Sequence, residues 1–404
     1  MSGGVDSSVA ALLLKREGYD VTGVFMRCYN LDGCAEQDAE DARRVAGRLR
    51  IPFYVWDFEK EYKRRVVEYM VSGYAQGITP NPDVMCNKEI KFGLFLARTL
   101  AHGADYVATG HYVRLRRTAI RNKRQVTRKS VMSHVPRPTS LFAARDKNKD
   151  QSYFLWTLTQ EQLRRCLFPI GDYLKPEVRA IARRAGLPTA GKKDSQGICF
   201  LGKFSLKDFL KKRIRSKKGE VVTVSGMHVG EHDGAAFYTI GQRHIGVANR
   251  GLIEKETRLP AGRQGTTRKD LRPFYVADKD IKTNTLLVAE GDDNPALHKR
   301  EVFLADVNFT SPFNLKPKTY NLPVMARVRY RQPLARATLT IVERTQKSAE
   351  KNMRKSLPAG RQARFSPRGS ALLVFKQRQK FVAPGQSAVF YSRQGELLGG
   401  GIIV

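Results

Sequence analysis

The chain has 404 residues, 41% of them hydrophobic, so it can bury sizeable cores in two or three domains. No run approaches the roughly 18 apolar residues that a membrane span requires, and the N-terminus lacks the basic-then-apolar pattern of a signal peptide. We therefore expect a cytoplasmic protein rather than a membrane or secreted one. The net charge of +34 attracts polyanions and favours nucleic acid as a partner.

Three tracts hold more than half of this excess charge. Residues 114–137 carry nine Lys/Arg and no Asp/Glu, residues 255–272 carry six against two, and residues 343–368 carry eight against two. Each tract is either a phosphate-binding segment or a solvated basic loop, and composition alone leaves both open. The last two contain the same hexapeptide, Leu-Pro-Ala-Gly-Arg-Gln, at 259–264 and 357–362, to which we assign no chemistry.

In chain order, the first half alternates predicted helices and strands. The apolar patterns predict helices at 9–18, 35–49, 61–74, 88–102, 160–166 and 176–185, and strands at 21–26, 53–58 and 106–109. Alternation at these lengths is typical of a doubly wound parallel sheet covered by helices. We predict such an α/β domain over residues 1–201.

Beyond about residue 200, short runs of Val, Thr, Tyr and Gly dominate. A last helix is predicted at 204–212, followed by strands at 221–224, 274–276, 286–289, 324–330, 337–342, 372–375 and 387–391. The Asn294-Pro295 pair indicates a turn between two groups of strands. These features predict a small mixed α+β domain over residues 202–296 and a C-terminal β-barrel over residues 297–404.

A glycine- and serine-rich segment, Ser2-Gly3-Gly4-Val5-Asp6-Ser7-Ser8, leads directly into the first helix. Glycines let the backbone approach an anion, and the N–H groups of a helix N-terminus bind phosphates. The segment lacks the Gly-Lys-Ser/Thr ending of a Walker A loop. It resembles instead the SGGVDSS signature of the PP-loop ATP pyrophosphatases. That resemblance implies cleavage of ATP between the α and β phosphates to adenylate a substrate.

Cys86 follows the proline-rich segment 79–83 and precedes a predicted helix. A thiol near a helix N-terminus, with Lys88 and Lys91 nearby, is expected to have a lowered pKa and to be a candidate nucleophile. The alternative is an inert buried thiol at a helix cap.

Cys199 lies in a glycine-containing loop after Lys192 and Lys193. Two suitably placed thiols permit a sulfur relay, because thiolates exchange sulfur by direct displacement. The five cysteines show no CxxC pair and no zinc-like spacing, so no metal site is predicted. We expect the remaining three, Cys28, Cys34 and Cys166, to be structural.

Seven motifs together resemble one family. SGGVDSS, NPDVMCNKEIKFG, ATGHYVR, KDQSYFL, KKDSQGICF, RYRQ and PGQSAVFY occur in the order found in bacterial tRNA-specific 2-thiouridylases and span nearly the whole chain. The resemblance implies an ATP-dependent sulfurtransferase that adenylates C2 of the wobble uridine of tRNA. Sulfur from a cysteine persulfide then replaces the oxygen and gives 2-thiouridine. ATP and Mg²⁺ are the implied cofactors. The implied partners are tRNA and a persulfide-donating sulfur carrier or cysteine desulfurase.

The same resemblance assigns roles to individual residues. Cys86 would be the nucleophile, Cys199 the persulfide carrier and Asp83 a proton-transfer group. The residues expected at ATP are Met1, Ser2, Gly3, Gly4, Val5, Asp6, Ser7, Ser8, Met26 and Gly110. The residues expected to contact tRNA are Asn81, Pro82, Asp83, His111, Lys149, Asp150, Gln151, Arg329, Tyr330 and Gln386. From chemistry alone, each could equally be structural: His111 a core histidine, Arg329 and Tyr330 strand residues, and Gln386 a turn residue.

Met1 directly precedes the glycine-rich loop, so the buried strand that normally leads into such a loop has no residues here. We expect either a start assigned too late or the loss of a central strand. The second case, with the basic tracts, keeps open a catalytically impaired RNA-binding homologue. A third possibility is that the extra charge serves general RNA or ribosome association in addition to catalysis.

Overall fold

The computed structural model describes residues 1–29, 33, 35–117, 139–194, 205–243, 245, 272–311, 321–342 and 369–404. Cys34, Cys199, most of the three basic tracts and both hexapeptide copies lie outside these ranges, so the predictions about them stay predictions. The described chain forms an α/β unit, a small four-stranded unit and a closed six-stranded barrel, which confirms the predicted fold class. None of the helices in these ranges combines the length and apolar character needed to cross a bilayer.

The helices of the α/β unit include two with widened turns. The α-helical segments are α1 (Val5–Arg16), α2 (Ala35–Leu49), α3 (Glu59–Tyr62), α4 (Glu68–Ala75), α5 (Pro82–Cys86), α6 (Leu96–Ala101), α7 (Gln160–Arg164) and α8 (Lys175–Arg184). π-helical Lys63–Val67 joins α3 to α4, and π-helical Asn87–Phe95 joins α5 to α6. Such widened turns are rare and frequent at functional sites. The longer one begins directly after Cys86.

The described strands of this unit form three pairs: β1 (Gly23–Arg27) with β2 (Phe53–Asp57), β3 (Val107–Ala108) with β6 (Cys166–Leu167), and β4 (Val113–Arg117) with β5 (Thr139–Ala143). The first two pairs are parallel, as predicted for this sheet, and lie in separate two-stranded sheets. β6 was not predicted: Cys166 begins this strand, whereas a helix was expected to extend to it. The third is an antiparallel hairpin that the sequence did not reveal, because β4 reads Val-Arg-Leu-Arg-Arg and continues into the first basic tract.

The second unit contains α9 (Leu206–Lys211), β7 (Gly219–Thr223), β8 (His228–His232), β9 (Phe274–Asp280) and β10 (Thr285–Glu290). The strand order is β8-β7-β10-β9, with β7 and β10 parallel and the other neighbours antiparallel. This mixed sheet matches the predicted small α+β unit.

The barrel is formed by β11 (His298–Phe309), β12 (Leu322–Arg327), β13 (Ala335–Val342), β14 (Ser370–Lys380), β15 (Ser387–Tyr391) and β16 (Leu397–Ile403). Its closed order is β11-β14-β13-β12-β15-β16, with antiparallel neighbours. Leu304, Leu339, Phe375 and Phe390 are fully buried in its core. Closure of the sheet removes the exposed strand edges.

The barrel packs directly on the α/β unit. One hydrophobic cluster contains Phe92 and Trp156 from the α/β unit together with Val389 and Leu397 from the barrel. Trp156 Nε1 donates to Ser387 Oγ at 3.0 Å across this contact. Because the two units share a core, barrel residues hold fixed positions relative to the α/β unit.

Candidate active site between the glycine-rich loop and the Cys86 helix

The glycine-rich loop forms an open N-terminus for α1. Gly3 has φ 68°, and a Cβ there would lie 2.3 Å from the Asp38 carbonyl oxygen, so the position requires glycine. Gly4 is the N-cap, and no side chain caps the helix. Ser7 and Ser8 donate to the Gly4 carbonyl at 3.1 and 2.8 Å. The first N–H groups of this 12-residue helix are thus presented to an anion.

The ends of β1 and β3 lie against this loop. A Cβ on Gly110, just after β3, would lie 2.7 Å from Ser7 N and 2.8 Å from the Asp6 carbonyl carbon. The Met1 amino group donates to the Val24 carbonyl on β1, the strand that also carries Met26. The structure therefore places Gly110 and the strand that carries Met26 against the predicted ATP loop.

A cluster of charges at Asp6 was not predicted as a site. Lys175 Nζ lies 2.7 and 2.8 Å from the two Asp6 carboxylate oxygens and 2.9 Å from Asp194. Asp194 also accepts from Lys149 at 2.6 Å and from Arg179 at 2.6 Å. Burial alone would raise the pKa of Asp194, but hydrogen bonds from Lys149 and Lys175 lower it to about 2. Three cations and two carboxylates thus lie beside the loop.

Cys86 lies within a helix rather than before one. The helix begins at Pro82, six residues earlier than predicted, because Asn81 accepts from Val84 N at 3.2 Å and acts as the N-cap. Asp83 occupies the first turn and is half-buried. Cys86 is 0% exposed, in a core that it shares with Ile90.

His111 follows Gly110 and packs near the helix that continues from Cys86. Its Nδ1 lies 2.8 Å from Thr109 Oγ1, and its ring is 5.9 Å from that of Phe92, on the π-helical continuation of α5. Burial, with a smaller effect of the Lys91 charge, holds the pKa of His111 well below 6.5. His111 is thus a buried, neutral histidine next to Gly110, the residue that packs against the loop.

The residues Lys149, Asp150 and Gln151, predicted to contact tRNA, form ion pairs and hydrogen bonds with other residues of the chain. Lys149 pairs with Asp194, and Gln151 Oε1 accepts from Tyr112 N at 3.0 Å. Asp150 is 4% exposed, and its Oδ2 accepts from Arg327 of the barrel at 2.8 Å. The Asp150 carboxylate therefore ties the α/β unit to the barrel.

The predicted barrel residues also lie at this contact. The Tyr330 ring is 4.4 Å from that of Phe154. Burial lowers the pKa of Arg329, whose guanidinium lies 5.8 Å from the Phe381 ring. Gln386 Nε2 donates to the Thr79 and Pro80 carbonyls at 3.0 and 3.3 Å.

Comparison with known proteins places this arrangement in a family. Residues 1–203 match the family described as the tRNA methyl transferase HUP domain, residues 207–290 the tRNA methyl transferase PRC-barrel domain, and residues 345–403 the aminomethyltransferase beta-barrel domain. The chain is 43% identical to the tRNA-specific 2-thiouridylase MnmA of Streptococcus agalactiae serotype III strain NEM316 over 409 residues, 100% of this chain and 93% of that protein. It is 41% identical to the tRNA-specific 2-thiouridylase MnmA 1 of Geobacillus kaustophilus over 397 residues, 97% of this chain and 90% of that protein.

The chain belongs to the tRNA-specific 2-thiouridylase family. Full-length similarity does not favour the alternative of an impaired RNA-binding homologue.

Within this 2-thiouridylase fold, burial and hydrogen bonding limit the reactivity of Cys166. Cys28, Cys86 and Cys166 are all buried. Cys166 Sγ donates to the Gln162 carbonyl at 3.1 Å, and burial raises the pKa of this thiol to about 12. Cys166 is therefore a poor nucleophile, in keeping with its predicted structural role.

Sequence reasoning missed Lys175 and Tyr112, which contact Asp6, and Arg179, which contacts Asp194. Tyr112 OH donates to Asp6 at 2.9 Å, and Lys175 reaches Asp6 across 169 residues of sequence. The one local signal was the position of Lys175 beside Pro176, at the start of α8, where a side chain can extend past the helix end. No cluster of three or more His, Cys, Asp or Glu side chains suited to a metal occurs among the described residues.

Proposed function

We propose that this 2-thiouridylase converts the wobble uridine of tRNA to 2-thiouridine, with ATP activating the base and a cysteine persulfide supplying the sulfur. The observation that carries the proposal is that Gly110 packs against the phosphate-binding loop while its neighbour His111 packs against Phe92, on the π-helical continuation of the Cys86 helix. Full-length relatives named tRNA-specific 2-thiouridylase support the same reaction.

The ATP loop would hold the triphosphate and orient the α phosphorus. The backbone at Gly3 and Gly4 and the first N–H groups of α1 would bind phosphate oxygens. The Lys175 ammonium beside Asp6 would supply positive charge to the phosphates. The uridine C2 oxygen attacks the α phosphorus, and pyrophosphate leaves. Mg²⁺ is expected to bind mainly through the phosphates and to offset their charge, with Asp6 the carboxylate on the loop.

Sulfur transfer would follow on the adenylated base. The outer sulfur of the Cys199 persulfide attacks C2, and AMP leaves with the former C2 oxygen. A Cys86 thiolate then attacks Sγ of Cys199, which breaks the persulfide bond, leaves sulfur on C2 and forms a Cys86–Cys199 disulfide. A thiol reductant restores the two cysteines. Asp83, three residues before Cys86, is the proposed acceptor of the base proton.

The length of the chain permits Cys199 to approach the loop. Cys199 follows Asp194 by five residues, which can span at most about 18 Å. Asp194 itself lies 2.9 Å from Lys175, which contacts Asp6. Since Cys86 is fully buried, its attack requires the start of the helix to open when tRNA binds.

A tRNA substrate also implies contact residues, a compartment and a sulfur donor. The residues proposed to contact it are Asn81, Pro82, Asp83, His111, Lys149, Gln151, Arg329 and Tyr330. Asp150 and Gln386, predicted with them, bond instead to Arg327 and to the Thr79 and Pro80 carbonyls. A loop base can be unstacked into a pocket more readily than a paired one. We place the reaction in the cytoplasm, where tRNA is found, and propose a protein persulfide donor.

The test is mass spectrometry of nucleosides from unmodified tRNA incubated with protein, ATP, Mg²⁺ and a persulfide source. We expect 2-thiouridine from the wild type and from Cys166→Ala, a matched control at a buried structural thiol. Cys199→Ala and Cys86→Ala should give none. No product from a folded wild type that binds tRNA would refute the proposal and favour an RNA-binding role.

A further inference from the structure

We infer that Gln386 is a positioning residue for the Cys86 helix, acting through the backbone of Thr79 and Pro80. The inference rests on the proposed function and adds to it how the barrel acts on the catalytic helix. The contact joins the turn between β14 and β15 to the segment that precedes α5.

Several bonds fasten the barrel turn to this segment. Gln386 Nε2 donates to the Thr79 carbonyl at 3.0 Å and to the Pro80 carbonyl at 3.3 Å, so the side-chain amide bonds to protein backbone. Thr79 N donates in return to the Pro384 carbonyl at 2.7 Å. The barrel supplies partners for three successive backbone groups of the segment.

The turn itself is anchored in the barrel. Gly385 N donates to the Ile403 carbonyl at 2.8 Å, and Ile403 N donates to the Gln386 carbonyl at 2.8 Å. These bonds to β16 hold the turn, so the position of the Gln386 side chain is set by the barrel.

The approach of the turn to Thr79 requires glycine. Gly385 has φ 89°, and a Cβ there would lie 2.9 Å from the N, C and O atoms of Thr79. The neighbour is backbone, which cannot rotate away as a flexible side chain can. Any side chain at 385 must therefore push the barrel turn and Thr79 apart.

A displacement of Thr79 and Pro80 would reach the catalytic helix directly. Asn81, the next residue, caps α5 through its side chain and accepts from Met85 N at 3.2 Å. Asp83 and Cys86 lie on this helix. Misplacing a reacting group by about 1 Å can cost about a hundredfold in rate.

The decisive experiment measures catalysis and tRNA binding separately in the variant Gln386→Met. This substitution keeps the side-chain length and removes the amide N–H donors. We expect the single-turnover rate of 2-thiouridine formation at saturating tRNA to fall at least about tenfold. The Kd for tRNA should stay within about twofold. Gln379→Met is the control, because Gln379 Nε2 donates to the Gln377 carbonyl within one barrel strand. A weaker Kd with an unchanged saturated rate would instead make Gln386 a tRNA-binding residue and overturn the inference.

A second pair of variants tests the contact without removing the amide. Gly385→Ala and Gly395→Ala impose similar backbone strain, since φ is 89° and 83°, but only the first introduces a clash with Thr79. Iodoacetamide labelling of Cys86, read by peptide mass spectrometry, should accelerate in Gly385→Ala and not in Gly395→Ala. The buried Cys28 and Cys166 serve as internal standards for global unfolding.

Equal Cys86 labelling in the two alanine variants would contradict the inference. This readout needs no activity, so it remains valid if the wild type makes no 2-thiouridine and the proposed function fails.

Discussion

Lys175 Nζ lies 2.7 and 2.8 Å from the two carboxylate oxygens of Asp6, in the first turn of α1. The Lys175 side chain is only 10% exposed, and the same ammonium also contacts Asp194. A cation this close to a phosphate-binding loop offsets the charge of the two carboxylates. It would also offset part of the negative charge of a bound triphosphate.

Lys175→Met should therefore weaken ATP binding. We expect the KM for ATP to rise about tenfold, because a charged interaction with phosphate is lost and Asp6 and Asp194 lose a shared cation. Lys211→Met is the matched control, since Lys211 pairs with Asp233 on the surface. Steady-state pyrophosphate release gives the KM for ATP of both variants. An unchanged KM in Lys175→Met would remove Lys175 from the ATP site.

Gly110→Ala should disable the loop. Its Cβ would lie 2.7 Å from Ser7 N, so the loop must shift away from β3. We expect 2-thiouridine formation to fall about a hundredfold, with tRNA binding retained. Gly47→Ala, in α2 with no heavy atom within 4 Å of the added Cβ, should retain activity. Wild-type rates from Gly110→Ala would show that the loop need not lie against β3.

Asp150→Asn should destabilise the contact between the α/β unit and the barrel. Its partner Arg327 has a 9% exposed side chain and would be left as a buried cation without a carboxylate. We expect a loss of about 3 kcal/mol in the free energy of unfolding, measured in urea. Asp172→Asn breaks an exposed pair with Arg116 and should cost under about 1 kcal/mol. Equal losses in the two variants would argue against the domain-linking role.

His111 should make stability fall as the pH decreases. Burial lowers the pKa of His111 in the folded protein below its ordinary value of 6.5, so the unfolded chain takes up the proton first. Unfolding thus becomes easier as the pH drops below about 6.5, while the contribution of His111 is retained above it. His111→Gln should lose less stability than the wild type between about pH 7 and pH 5.5. The exposed His228, changed to Gln, is the control. Parallel pH profiles for all three proteins would contradict a buried neutral His111.

Sequence patterns predicted the three-part fold and the glycine-rich loop because these depend on local periodicity and on one contiguous motif. The barrel was expected, yet β11 and β16 were not. Gly399, Gly400 and Gly401 interrupt β16, and a Cβ on Gly400 would lie 2.6 Å from Trp156, so packing rather than strand propensity requires these glycines.

The predicted helix after Cys86 starts too late, because the two prolines at 80 and 82 favour a loop, although a cap residue followed by proline begins a helix. Other features could not be read locally. Gln386 and Thr79 are 307 residues apart, and Lys175 and Asp6 are 169 apart, so only the tertiary fold shows these contacts.

The central claim is that ATP activates the uridine at its C2 oxygen, and the fate of that oxygen tests it most directly. Unmodified tRNA carrying ¹⁸O at C2 of the wobble uridine would be incubated with protein, ATP and a persulfide source, and the AMP analysed by mass spectrometry. We predict one ¹⁸O in AMP for each 2-thiouridine formed. 2-Thiouridine accompanied by unlabelled AMP, or by ADP, would contradict adenylation of the base.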